Sequence, residues 1–498
     1  MIRFAELLTP DQVERVHEAS LEILETVGMW VRNREARSLL ARHGCPVDGE
    51  SGIVRYPRSV VEQYLEACPS SFTYYGRDPR HDRTLPDDGP LMTNASSAPD
   101  VLDPETGQVR RGRSDDIARI AFLVNELPGY DLLSLPVTAD DAPPGQFSLS
   151  RFYPALKNCL KPVRGSAPSL DEGQAILRMC AHIAGGEGAF WERPFVVFLY
   201  CALVSPLTMD VESTEKLLRF TEWQVPSFGI VVPNAGLTAP LTLLGALAQC
   251  NAEFLAETAL VQMVRPGTPR VYDVLPTVAD MRTVAYAPGG IETGILVMGC
   301  AQMARFYNLP SGGFTGLTNA KLNDAQSGYE TGMSTVAALL GGTDVVVMGG
   351  LLDALMTFDY AKLVIDGEIA LMLKRIARGL AFSEENLALD ALAEVGPGGT
   401  FIEARHTLKR ARTTALLPTI ADRASRPQWQ AAGALDSQAR ALQRVRDILR
   451  RDNPAVFSPD VDAQIQAEFE DLVAGDAQLP ALPAADGEKG GGRLRHAL

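Results

Sequence analysis

The sequence predicts an α/β protein: a TIM-type (β/α)8 barrel with additional N-terminal helices and C-terminal helical elements. Three observations carry this expectation. Short β-like runs alternate with longer helix-compatible stretches. The runs are mainly apolar, as suits strands covered on both faces, and the segments after them turn polar or bend at Pro and Gly. Periodicity by itself neither counts strands nor closes a barrel, so a doubly wound open sheet remains the alternative.

The amino end reads as helix. Thr9 is placed to cap, Pro10 suits the first helical position, and Gln12 falls at the reciprocal capping position before Val13, Val16, Leu21 and Leu24. A second helix should stop at Gly44, and "PRSVVEQYLEAC" suggests a third, giving a helical extension over 1–70. "DPRHDRTLPDDGP" then concentrates charge, Pro and Gly and breaks regular structure. Candidate strands are "SFTYYG", "GPLMTN", "NCLKPVRGS", "PFVVFLYCALV", "PSFGIVVP", "RVYDVLP", "LPSGGFTG" and "DVVVMGG". Between several of them lie helical patterns such as "TEKLLRFTEWQ" and "GALAQCNAEFLAETALVQM". These assign 71–420 to the barrel domain, 421–475 to a C-terminal helical extension and 476–498 to a mobile tail. "LDALMTFDYAKLVIDGEIALMLKRIARG" reads as one or two amphipathic helices, with Asp353, Asp359, Asp366 and Glu368 as solvated charges.

Composition narrows the partners. Lys and Arg number 46 against 61 Asp and Glu, a formal net charge of -15, which disfavours extended contact with nucleic acid or acidic lipid. The apolar run "FVVFLYCALV" is about half of the roughly 20 residues that cross a bilayer, and Glu6 interrupts the opening segment where an export signal would be apolar. A soluble cytoplasmic protein with no membrane partner is expected. Seven dispersed cysteines without a CxxC pair, and six histidines without HExxH, point to neither a disulfide framework nor a metal centre.

Polar residues crowd one stretch, "GGFTGLTNAKLNDAQSGYETGMSTVAALLGGTDVVVMGG" at 312–350. A strand-to-helix connection needs a turn and a cap, so Thr315, Thr318, Asn319, Lys321, Asn323, Asp324 and Gln326 together suggest a ligand-site wall or a polar support network. A helix should start at Asp324 as N-cap, run an apolar stripe through Tyr329, Met333, Val336, Ala337 and Leu340, and stop at Gly341. Glu330 follows Gln326 by about one turn and shares its side. Neither a GxxxxGK[ST] loop nor a GxGxxG fingerprint occurs, which argues against nucleotide binding. Tyr75, Tyr286, Phe314 and Tyr329 are aromatic candidates for holding a cation, Phe314 foremost because it ends a strand. Asn94 and Asn234 suit the orientation of a polar ligand, and Arg164 suits a carboxylate or amide. His406 reads as part of a packed motif near the end of the barrel.

Ordered segments along nearly the whole chain resemble the trimethylamine methyltransferase family, in the branch without pyrrolysine that includes betaine methyltransferases. They are "LTPDQVERVHEASLEILETVGM", "GLTAPLTLLGALAQCNAEFLAETALVQMVRPGTP", "NAKLNDAQSGYE", "VGPGGTFIEARHTLKRA" and "WQAAGALDSQARALQRVRDILR". The resemblance implies an α/β barrel that moves a methyl group from a tertiary or quaternary amine to a cobalt corrinoid on a separate protein. It implies no tightly bound cofactor and no structural metal in this chain. "TGLTNAKLNDAQSGYE" is similar to a family loop closer to "TDSKxxDxQAGxE", from which it departs at Asn319 and Ala320. The match implies Lys321, Asp324 and Glu330 as catalytic residues. Asn319 and Gln326, from the match, and Asn94, Arg164, Asn234, Phe314 and Tyr329, from their own places in the sequence, are the candidates to face substrate or corrinoid. The implied partners are a methylated amine or betaine and a corrinoid protein, and a homo-oligomer is compatible with both. Two other functions fit the residues: a barrel lyase or hydrolase using Asp324 or Glu330 as acid or base, and a noncatalytic small-amine binder.

Overall fold

The computed structural model describes residues 4–479. Its first helix, Pro10–Glu22, starts at the reciprocal cap of Thr9 and Gln12 and buries Val13, Val16 and Leu21. Helices Arg34–Arg42 and Arg58–Leu65 follow, the first of them ended by Gly44 with φ 90°. All three pack on one long helix of the main body, Leu243–Val264.

The body alternates strand and helix. In chain order it comprises β1 Leu91–Thr93 and α1 Ser114–Glu126, β2 Leu133–Ser134 and α2 Leu149–Asn158, β3 Val163–Gly165 and α3 Leu170–Ala184, and β4 Val196–Tyr200 and α4 Glu212–Glu222. Then come β5 Ser227–Gly229 and α5 Leu243–Val264, β6 Tyr272–Val274 and α6 Ile291–Phe306, β7 Ser311–Gly316 and α7 Ala325–Gly341, and β8 Val345–Met348 and α8 Tyr360–Ala377. The strands are parallel and form two four-stranded sheets, ordered β5-β4-β3-β2 and β6-β7-β8-β1. Two isolated parallel bridges, Thr93↔Leu132 and Val231↔Val274, link the sheets at their ends. Every strand residue is buried, which is why β4 and β8 carry continuous apolar runs and the charges of β3 and β6, Arg164 and Asp273, are paired with each other.

Seven of the eight expected strands belong to these sheets. The exception is "SFTYYG": Phe72–Tyr74 pairs antiparallel with Arg83–Leu85 and lays its rings against Phe228, with Phe72 at 4.9 Å between centroids. The missing strand, β2, lies in "DLLSLPV" and is two residues long, too short to show a period. Beyond β8 the expected helix begins late. Residues 351–352 and 357–359 form a hairpin before α8. The solvated-charge expectation fails for three of its four acids. Asp359 caps α8, and Asp366 and Glu368 are buried, while Asp353 stays partly exposed. Asp366 and Glu368 accept from amides outside their helix, at Gly350 and at Ile420 and Ala421, and Asp359 accepts from the first amides of α8; the one-dimensional pattern displays none of these donors.

After α8 the chain runs through short helices over 380–418 before helices Ser437–Leu449 and Pro459–Glu468, which pack on α8, α1 and α3. At the expected tail, Asp476 bonds Asp115 and Gln478 bonds Arg451, so 476–479 lie against the body. The remainder, 480–498, lies outside the described residues.

Candidate active site

The site begins where β7 ends. Its ladder with β8 shifts register between Phe314 and Gly316, and Gly316 is required there: a Cβ would stand 2.3 Å from Cβ of Met348. The chain then crosses to α7, whose first turn is capped by Asp324, accepting from the amides of Gln326 (2.9 Å) and Ser327 (3.3 Å). The buried face of α7 is made of Ser327, Thr331, Ser334, Thr335, Ala338 and Leu339. Ser334 donates to Thr315 O (2.7 Å) and Thr331 to Gly316 O (3.2 Å), tying the helix to the strand end. The expected apolar stripe is therefore corrected. α7 packs so closely on β7 and α6 that, apart from Leu339, its buried face carries only small side chains, and Tyr329 and Met333 point outward into solvent.

Glu330 is the centre of the polar cluster. Its Oε2 accepts from the Thr318 hydroxyl and from the Asn319 amide (2.9 Å), and its Oε1 accepts from the Gln326 side chain (2.9 Å). Asn319 in turn accepts from Gly289 N–H (2.9 Å) and donates to Tyr286 O (3.0 Å). Gly289 has to be glycine, since a Cβ would come within 2.4 Å of the Glu330 carboxylate. Among the described residues no ion pair engages Glu330, which is half-buried. Lys321 goes elsewhere: it donates to Asn319 O (2.8 Å) and lies 3.3 Å from Asp353 on the exposed rim.

Beneath this cluster, Arg164 of β3 and Asp273 of β6 form a buried ion pair at 2.8 Å, with the guanidinium 5.9 Å over the Phe314 ring. Burial pushes the Asp273 carboxyl up against the pull of Arg164. Beside it, Asn234 pairs in register with Thr277, and Asn234 Oδ1, the Thr277 hydroxyl and the Tyr286 hydroxyl are buried without partners. Burial raises the Tyr286 phenol to about 12, so it stays a neutral donor.

Asn319, Gln326 and Glu330 thus meet, with Lys321 at the edge and Asp324 one turn below. Phe314 and Arg164 lie deeper, Asn234 lies alongside, and Tyr329 faces away. Asn94 stitches β1 to β2 instead, its side chain donating to Ser134 O (2.8 Å) and accepting from Ser134 N–H (3.0 Å). Tyr75 lies under the Arg193 guanidinium at 5.2 Å. His406 is half-buried within 380–418 and not in a packed motif, because the segment around it has almost no buried side chains. Sequence reasoning gave Thr318 no role of its own and passed over Thr277 and Gly289; the Gly-Gly pair before α6 was the signal for the last. A cleft of about 970 Å³ lined by Phe190, Trp191 and Trp223 lies toward the carboxyl ends of α3 and α4, opposite the strand carboxyl ends.

Comparison with known proteins extends over the same length. The chain is 32% identical over 463 residues to the glycine betaine methyltransferase of Desulfitobacterium hafniense (strain Y51), covering 93% of this chain and 96% of that protein. It is 29% identical over 461 residues to a trimethylamine methyltransferase of Desulfitobacterium hafniense (strain DSM 10664 / DCB-2), covering 93% and 92%. The crystal structure of the Methanosarcina barkeri monomethylamine methyltransferase aligns at a TM-score of 0.47 and 12% identity over 87% of this chain and 92% of its own. A family model described as trimethylamine methyltransferase matches residues 1–475. With that match and a relative 32% identical over 93% of this chain, the chain belongs to the trimethylamine methyltransferase family.

Proposed function

We propose that this chain transfers a methyl group from a small tertiary or quaternary amine, betaines included, to the corrinoid of a separate protein. The family match over residues 1–475 supports the reaction. The observation that supports a cationic substrate is Glu330, a half-buried carboxylate held by three donors and neutralised by no cation among the described residues. The two parallel sheets and the bridges joining their ends support a TIM-type eight-stranded barrel, with 319–330 at the carboxyl-end mouth where such folds place their chemistry.

A quaternary ammonium has no N–H to donate, so it is recognised by charge and by polarisable surfaces. Glu330 supplies the charge, and Thr318, Asn319 and Gln326 fix the direction its carboxylate faces. Asp324 sets the start of α7 and hence the height of Glu330 above the strand end. Lys321, paired with Asp353, orients the loop at the rim. The corrinoid is an acceptor substrate whose reduced cobalt is the nucleophile; a neutral amine leaves, so the chain needs to orient the methyl group more than to move protons. Leu322, Tyr329 and Met333 are exposed beside Glu330 and fit contact with the protein that brings the acceptor. Asp324 is committed to the cap, which leaves an acid–base lyase with Glu330 alone.

Purified chain mixed with a reduced cognate corrinoid protein should change the cobalt absorbance when a methylated amine or betaine is added. Repeated turnover would dispose of the noncatalytic reading. No transfer across a broad amine set, with a partner proven competent by another methyl donor, would refute the proposal.

A further inference from the structure

Between α8 and the C-terminal helices the chain leaves the body and returns. Its departure is pinned by Arg375, which donates to Gly379 O (2.9 Å). Its return is pinned by Glu368, whose carboxylate accepts from the amides of Ile420 (2.7 Å) and Ala421 (2.8 Å). Between these anchors, over 380–418, Ala391 alone is buried. The segment has order of its own nonetheless: helices Glu384–Leu387, Leu389–Val395 and Arg405–Arg410, with Arg410 bonded to Glu385 at 2.6 Å.

Such a segment ought to be polar, and it is not. Leu380 is 94% exposed, Phe382 85%, Ile402 73% and Leu408 69%, with Leu389 and Leu417 also exposed. Burying each is worth roughly 1.5–3 kcal/mol. Long connections without a core of their own are uncommon inside compact domains, and clustered apolar exposure of this kind marks an interaction surface.

The charges identify the occupant. Acids fill the first part of the arm (Glu384, Glu385, Asp390, Glu394, Glu403) and bases the second (Arg405, Lys409, Arg410, Arg412). Of these, Glu384, Asp390, Glu394, Arg405 and Arg412 make no ion pair among the described residues. In a two-fold interface residue i of one copy meets j of the other, and j meets i. A surface whose halves carry opposite charge is complementary to its own copy by construction. We propose that residues 380–418 form an arm that packs its apolar side chains on a second copy of this chain, the acidic half of one against the basic half of the other.

Sedimentation velocity of the full chain alone, at micromolar concentration, tests this. The expected result is a dimer or a multiple of it. The variant L380D/F382D/I402D/L408D should be monomeric with an unchanged far-UV circular dichroism spectrum, since these side chains support no part of the body. A second pair keeps the apolar residues. E384K/D390K/E394K and R405E/R412E should each self-associate at least about tenfold more weakly than wild type, and their mixture should recover the wild-type mass. A monomeric wild type, including one that gains mass only when the corrinoid protein is added, would overturn the proposal, as would a four-Asp variant that keeps the wild-type mass. A mixture no tighter than its components would overturn the charge pairing.

Discussion

Glu330 on α7 and Asp366 on α8 occupy similar places, each within the first two turns of a helix that follows a buried strand, and the protein treats them oppositely. Asp366 is fully buried, lies 3.0 Å from the Lys362 ammonium and accepts from Gly350 N–H (2.9 Å). Lys362 also donates to Thr331 (2.9 Å), the neighbour of Glu330, so a cation comes close to the site with its charge already cancelled. Glu330 is left with neutral donors only. The difference teaches that a carboxylate's partner, more than its place, decides whether it holds the fold together or presents a field to a ligand.

The comparison breaks most visibly at Asp366. Asp366→Ala strands Lys362 as a buried unpaired cation and should cost about 3–5 kcal/mol in urea-induced unfolding. The double variant K362M/D366L should recover most of it. A single variant as stable as wild type would show that the pair is not structural.

Asp344, at the amino ends of β7 and β8, is a third case: a half-buried carboxylate that accepts from Ser311 N–H (2.8 Å) and hydroxyl (3.0 Å). Burial pushes it up to about 6, above its ordinary 3.8. A raised carboxyl contributes stability below the unfolded value that is lost as pH rises through the folded one. Asp344→Asn, which keeps an acceptor without a charge, should therefore gain on wild type between about pH 4 and pH 6.5, by at most about 3 kcal/mol. Parallel stability curves for the two proteins over that range would contradict it.

Glu330→Gln should reverse the pattern of Asp366: turnover falls about 10²-fold, while stability moves by less than about 1 kcal/mol. Loss of stability with unimpaired turnover would assign Glu330 to the support network.

The smallest effect belongs to Lys321. Its pair with Asp353 is exposed on both sides, and Lys321→Ala should shift stability by less than about 1 kcal/mol and turnover only a few-fold. A drop as deep as that of Glu330→Gln would move Lys321 from the rim to the chemistry.

How much of this was legible follows from how far each signal reaches along the chain. The Thr9–Gln12 cap, the Asp324 cap and seven strands were readable because each depends on neighbours a few residues away or on a continuous apolar run. β2 was lost because two residues carry no period, and "SFTYYG" was misplaced because a hairpin and a sheet strand look alike in composition. The stripe on α7 failed for a packing reason: periodicity shows which residues share a face, and the closeness of β7 and α6 decides which face is covered.

The amino-acid sequence alone settles the α/β alternation, the helix starts at Thr9 and Asp324 and the family, since local backbone chemistry and ordered motifs survive without knowledge of contacts. Only the folded chain decides which charges cancel. Arg164 finds Asp273 across 109 residues, Lys362 reaches back 31 to Thr331, and Glu330 is passed over by both. Coulomb energies and desolvation depend on distances between elements, and a one-dimensional string does not contain them.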